Sequence, residues 1–248
     1  MPDGQDWPAQ LAARHPASQV INLGVCGYGV DKMHITLREV VEEYKPHLVI
    51  VAPISENFNR SLLTIRDYAK PRFSLSDDGS LQLHNTPVPA YATLLDSLKS
   101  EYGTWRPSAR LRVENQEFLA SVDRGDYEAE WKALNQRLLE ESVAVARAHA
   151  SYFLVVHLAS YLELEAHDSK VSGLLPAEQV MQLVADNLHV PFLRTRESFL
   201  AKGNTWAKGH YGPAECTFVS HWVFNALQES PAWKRFTEEH LAPLPLNH

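Results

Sequence analysis

Val20-Ile21-Asn22-Leu23-Gly24-Val25-Cys26-Gly27-Tyr28-Gly29 and, further on, His47-Leu48-Val49-Ile50-Val51-Ala52 decide how this chain is read. The first begins as a short apolar run and breaks into glycines that permit tight turns or a close ligand approach. The second is continuously apolar after its first residue, the pattern of a strand covered on both faces. Between them Met33, Leu37, Val40, Val41 and Tyr44 recur at helical spacing, with Asp31 as the expected cap and Pro46 as the stop. Strand, helix and strand in this order predict a βαβ unit, and a parallel sheet follows from it.

Working outward, Trp7 to Arg14 reads as a short helix with Pro8 in its first turn. Phe73-Ser74-Leu75 and Leu81-Gln82-Leu83 flank Asp77-Asp78-Gly79, which predicts a hairpin. A helix is expected over Tyr91–Leu98 and an irregular connection over Gly103–Arg112. Asp126 to Ala150 gives the longest helix, with Trp131, Leu134, Leu138 and Val145 on one stripe. Tyr152-Phe153-Leu154-Val155-Val156-His157 reads as the next buried strand. Pro176 starts a helix carrying Val180, Leu183 and Val184, and Val190-Pro191-Phe192-Leu193 reads as an edge strand because of its proline. Pro213 starts the final helix, buried through Phe218, Val219, Trp222, Val223 and Ala226. The expected architecture is a single α/β domain over 1–248, with a hairpin insert around 68–89.

Composition bounds the function. The 248 residues suffice for one well-filled core, and 45% hydrophobic residues argue against disorder. A net charge of -7 without a basic run disfavours nonspecific nucleic-acid binding. Two cysteines, Cys26 and Cys216, are too few for a disulfide framework. No apolar run is long enough to span a membrane, and Met1–Asp6 lacks the basic start and apolar stretch of a signal peptide. His34, His84, His149, His157, His167 and His189 show no ligand spacing, and His221 lies in a predicted helix. No metal or cofactor is therefore expected.

Ligands bind open parallel sheets outside the carboxyl ends of the strands. Four loops meet that condition: Gly24 to Asp31, Pro53 to Arg60, Leu158 onward and Arg194 onward. Glycines in the first loop can expose N–H groups to a developing oxyanion. Ser55-Glu56-Asn57-Phe58-Asn59-Arg60 has five polar residues of six just after a buried strand, which suits a site wall. Asn57 can donate a side-chain N–H to the oxyanion, and Glu56 can orient a histidine or act as acid or base. Asn59 and Arg60 extend the wall. His210, between Gly209 and Gly212, lies on a loop and suits proton shuttling near neutrality.

The run Asn22 to Gly29, the strand entry Tyr44-Lys45-Pro46-His47-Leu48-Val49, and Tyr68-Ala69-Lys70-Pro71 through Asn85-Thr86-Pro87-Val88-Pro89 resemble the SGNH (GDSL-type) hydrolases. They resemble particularly the bacterial members with a hairpin insert here. The resemblance implies a flavodoxin-like α/β/α sandwich and hydrolysis of an acyl or acetyl ester, on a small ester or an acylated glycan. It implies Gly27 as an oxyanion donor and His210 as the general base. A gapless match puts Glu56 on the family's asparagine position, with Asn57 one residue late. Where the family has an aspartate before the histidine, this chain has Lys208 and Ala207. The serine loop and its strand have no counterpart in the nineteen residues before Val20. Cys26 and Ser55 stand near the expected crevice as substitutes, neither on a recognisable nucleophile elbow.

Three readings follow: an ester hydrolase, a noncatalytic member of the fold that binds a partner or glycan, and a truncated product. Without the serine strand the sheet is expected to rearrange, to be completed by a partner as in a homo-oligomer, or to be poorly stable, because unpaired buried backbone groups cost about 1–3 kcal/mol each.

Overall fold

The computed structural model describes residues 4–16, 18–64, 69–88, 90, 127–166, 173–201 and 210–241. The helix expected over Tyr91–Leu98, the connection over Gly103–Arg112, and Ala207, Lys208 and Gly209 lie outside them. The helices are α1 Trp7–Arg14, α2 Val30–Tyr44, α3 Ser55–Arg60, α4 Tyr127–Ala148, α5 Tyr161–Ala166, α6 Pro176–Leu188, α7 Thr195–Ala201, α8 Pro213–Glu229 and α9 Pro231–His240. The strands are β1 Leu48–Val51, β2 Arg72–Leu75, β3 Leu81–His84, β4 Tyr152–His157 and β5 Phe192–Arg194. The fold is α/β, with a three-stranded parallel sheet in the order β1-β4-β5 and a separate β2-β3 hairpin.

The chain divides into two compact units, with the division falling inside β5. The larger holds Gly24–Leu158 and Ser172–Phe192; the smaller holds Met1–Leu23, Ala159–Val171 and Leu193–His248.

In the larger unit β1 pairs parallel with β4, Leu48 opposite Tyr152 and Val51 opposite Val155. Phe153, Leu154, Val155 and Val156 are all buried, which is why β4 reads as an unbroken apolar run. Helix α4 packs against α2, α6 and β4. It buries Trp131, Leu134, Leu138, Leu139, Val143 and Ala146; Val145, expected on this stripe, lies only at its margin. Helix α6 buries Ala177, Val180, Met181 and Val184, whereas Leu183 is 45% exposed, one position off the stripe. Phe58 of α3 is fully buried, with its ring 5.5 Å from that of Trp131. Losing a side chain packed this way costs about 3–5 kcal/mol.

The hairpin forms as expected, with Phe73 opposite Leu83 and Ser74 opposite Gln82. Its turn closes through Ser76 N–H to the Ser80 carbonyl at 3.0 Å, with Gly79 at φ +78°.

The run Val20–Leu23, expected as a strand, is not one. Val20, Ile21 and Leu23 are 36%, 41% and 41% exposed, and the parallel sheet ends at β1 among the described residues. β-branched composition fits a strand only where a neighbouring backbone accepts its hydrogen bonds.

In the smaller unit α1 packs on α8. Asp6 caps α1 through Ala9 N–H at 2.9 Å, and Arg14 Nε donates to Ser220 Oγ of α8 at 3.1 Å. Phe199 of α7 is fully buried against the rings of Tyr211 and Phe218. Helix α8 buries Val219 and Val223; Phe218, Trp222 and Ala226 are half-buried. It is not the last helix, because Ser230 caps α9 through Trp233 N–H at 3.2 Å. No described helix is long and apolar enough to cross a membrane.

Candidate functional site

Parallel pairing continues past the ends of β1 and β4: Leu158 N–H donates to the Pro53 carbonyl at 3.0 Å. The residues that follow β1 therefore stand beside the end of β4, at the carboxyl edge of the sheet. Ser55 is the first residue of α3 and His157 the last of β4. Ser55 Oγ lies 3.3 Å from His157 Nε2. On the other side of the ring, Nδ1 faces Glu178 Oε1 at 3.2 Å, off the line of an ideal hydrogen bond. Glu178 is held from behind, because its Oε2 accepts Leu175 N–H at 2.8 Å in the capping box of α6. His157 and Glu178 are fully buried and Ser55 is half-buried. A buried carboxylate beside Nδ1 favours the tautomer with its proton there, which leaves the Nε2 lone pair toward the hydroxyl.

A second group sits on the other flank of α3. The turn Val25–Tyr28 closes through Tyr28 N–H to the Val25 carbonyl at 3.3 Å, with Gly27 buried at φ +83°. Asn57 Nδ2 donates to the Tyr28 carbonyl at 2.6 Å, and Arg60 Nη1 approaches the same oxygen at 3.5 Å. Asn57 Oδ1 accepts Ile54 N–H at 2.7 Å, so this amide both caps α3 and clamps the glycine turn. One of its two N–H groups is thereby spent on the backbone. Asn59 points elsewhere: its Oδ1 accepts from Tyr127 Oη at 3.0 Å and Trp131 Nε1 at 2.8 Å. Glu56 Oε2 is buried without a hydrogen-bond partner among the described residues.

Asp31 does not cap α2; Gly29 does. Asp31 lies in the first turn and forms a buried ion pair with Lys70, the two side chains 0% and 1% exposed. Burial raises the Asp31 carboxyl above its usual range, with Lys70 pulling the other way. Burial lowers the Lys70 ammonium, opposed by Asp31. Asp31 Oδ1 also accepts Lys32 N–H at 2.8 Å. Gly29 has no room for a side chain: an added Cβ would meet Ser61 N at 2.8 Å and the Arg60 carbonyl carbon at 2.9 Å. The chain thus packs α2's start directly against α3. Nearby His34 is buried, its Nδ1 3.0 Å from Ser142 Oγ. Burial, followed by the charge of Arg38, lowers it to about 4.

Gly27's turn, Asn57 and Arg60 come together within the larger unit. His210 belongs to the smaller one, exposed on a bend before α8. Its neighbour Tyr211 donates its hydroxyl to the Ala159 carbonyl at 2.7 Å, and burial pushes that phenol's pKa up. Gly212 N–H donates to Glu215 Oε2 at 2.8 Å, which starts α8. Cys26 is exposed and Cys216 buried, and neither is in a disulfide. No group of metal-ligating side chains occurs among the described residues.

Sequence reasoning passed over His157 and Glu178. The signal available was positional: Ser55 comes shortly after one apolar strand, His157 ends the next, and Pro176-Ala177-Glu178 opens a helix with a capping carboxylate. No protein-family model and no curated protein matches the chain.

Proposed function

We propose that the chain is an SGNH-hydrolase-like domain that cleaves an acyl or acetyl ester, with an acylated glycan as the substrate class the resemblance suggests. The sheet would then be that of the flavodoxin-like sandwich without its first strand. The observation that carries this reading is the clamp of Asn57 and Arg60 on the Tyr28 carbonyl. It fixes the turn of Gly27 against α3, beside the carboxyl end of a parallel strand, where α/β sheets hold ligands. Gly27 and Asn57 are the oxyanion donors on this reading, Glu56 and Arg60 line the wall, His210 is the base, and Asn59, turned to Tyr127 and Trp131, drops out of the wall. The test is turnover of a short-chain acyl ester by the full chain. Activity that disappears in His210→Ala supports the assignment, and activity indifferent to that substitution defeats it.

A noncatalytic domain that binds an acylated glycan or a partner is the second reading. The commitment of Asn57's amide to the Tyr28 carbonyl and Ile54 N–H favours it, as does the absence of a family-type carboxylate at Ala207 and Lys208. Saturable glycan binding without ester turnover would select it.

A further inference from the structure

We propose that Ser55 is an acyl-accepting nucleophile whose proton acceptor is His157, positioned by Glu178. The inference rests on the ester-hydrolase reading, supplies the nucleophile that the resemblance lacks, and gives it a base other than His210. Three separate elements bring these side chains to one edge of the sheet: the start of α3, the end of β4 and the first turn of α6. The contacts run in series, hydroxyl to Nε2 at 3.3 Å and Nδ1 to carboxylate at 3.2 Å. Glu178 cannot swing away without giving up its bond to Leu175 N–H. Its negative charge stabilises the imidazolium that forms when the serine proton arrives. Ser55 is the one member of the three with solvent access, which suits the atom that must meet a substrate.

The chemistry balances without a cofactor. Ser55 Oγ bonds to the ester carbonyl carbon as its proton passes to His157 Nε2, and the carbonyl π pair moves onto oxygen. Collapse of that intermediate breaks the bond to the alcohol oxygen, which leaves with the proton from Nε2. Water then attacks the acyl-serine and gives one proton to Nε2. Release of the carboxylic acid returns that proton to Ser55 Oγ. The imidazole has no exposed surface, which restricts the approach of water to Nε2. Deacylation is therefore the slow step, and acyl-Ser55 accumulates.

The experiment treats the full chain with p-nitrophenyl acetate and, separately, with a fluorophosphonate, and maps the adduct by peptide mass spectrometry. The expected result is a burst of about one equivalent of nitrophenol per chain, with the acyl or phosphonyl mass on Ser55. Ser55→Ala should lower the burst rate by about 10²-fold or more. Glu178→Gln keeps the acceptor for Leu175 N–H and removes the charge. It should slow acylation and move its pH midpoint downward, a change that a merely structural contact would not produce. Ser55→Cys guards against misfolding: iodoacetamide should alkylate it faster at neutral pH than the exposed Cys26 of the same chain. An adduct on another residue, or a burst preserved in Ser55→Ala, overturns the proposal. Turnover lost in His210→Ala with Ser55 unmodified leaves the ester-hydrolase reading standing and removes this one. A chain that neither turns over nor labels removes both.

Discussion

Replacing Lys70 by Met isolates the buried ion pair that holds the start of α2. Asp31 and Lys70 are 0% and 1% exposed, so the substitution leaves a carboxylate with no water to solvate it. Breaking a buried pair from one side costs about 3–5 kcal/mol, against a total stability of roughly 5–15 kcal/mol. At this chain length that corresponds to a fall in Tm of roughly 6–20 °C. Adding Asp31→Asn keeps an acceptor for Lys32 N–H while removing the stranded charge. The double variant should therefore cost less than the sum of the singles, by about 2–3 kcal/mol.

The pH dependence carries a sign. Without Lys70, the largest remaining influence on Asp31 is burial, which raises its carboxyl above the unfolded value of 3.8. A group whose folded pKa is raised contributes most below its unfolded pKa and loses that contribution as pH rises through the folded one. The deficit of Lys70→Met should therefore shrink toward pH 4 and widen toward neutrality. Urea unfolding of the four chains (unsubstituted, both single variants and the double) across that range measures it. A deficit under about 1 kcal/mol that does not vary with pH would refute the reasoning.

His34 is lowered from 6.5 to about 4 by burial, so the folded chain resists a proton that the unfolded chain accepts. Stability should fall as pH drops from 6.5 toward 4, by up to about 3 kcal/mol, and flatten below it. His34→Gln should remove that slope in denaturant titrations. Asn57→Ala leaves Ile54 N–H without its acceptor and the Tyr28 carbonyl with the longer Arg60 contact, at a cost of about 1–3 kcal/mol. Hydrogen exchange should then quicken at Ile54 and in the turn Val25–Tyr28 ahead of the strands β1 and β4.

What was legible in the sequence was whatever local pattern and burial decide together. β4 is apolar because helices α4 and α6 pack on it, and its composition says so. The hairpin follows from Asp77-Asp78-Gly79, a turn written in three residues. Val20–Leu23 failed because propensity cannot supply a neighbouring strand, and among the described residues the parallel sheet ends at β1. The segment 55–60 reads as a polar loop, yet it is helical because Asn57 caps Ile54 and Asn135 Nδ2 of α4 holds the Phe58 carbonyl at 3.1 Å. Asp31 reads as a cap because capping is a local rule, whereas its partner Lys70 lies thirty-nine residues on. The same distance problem hid the candidate chemistry. Ser55, His157 and Glu178 come from three elements, and only the pairing of β1 with β4 brings the first two side by side.

The most direct measurement is hydrolysis of p-nitrophenyl acetate by the purified chain, followed from the first turnover and set against buffer alone. Saturable release above the uncatalysed rate is expected, with a fast first equivalent that Ser55→Ala removes. Release indistinguishable from buffer, in a chain shown to be folded by its cooperative unfolding, would contradict that expectation.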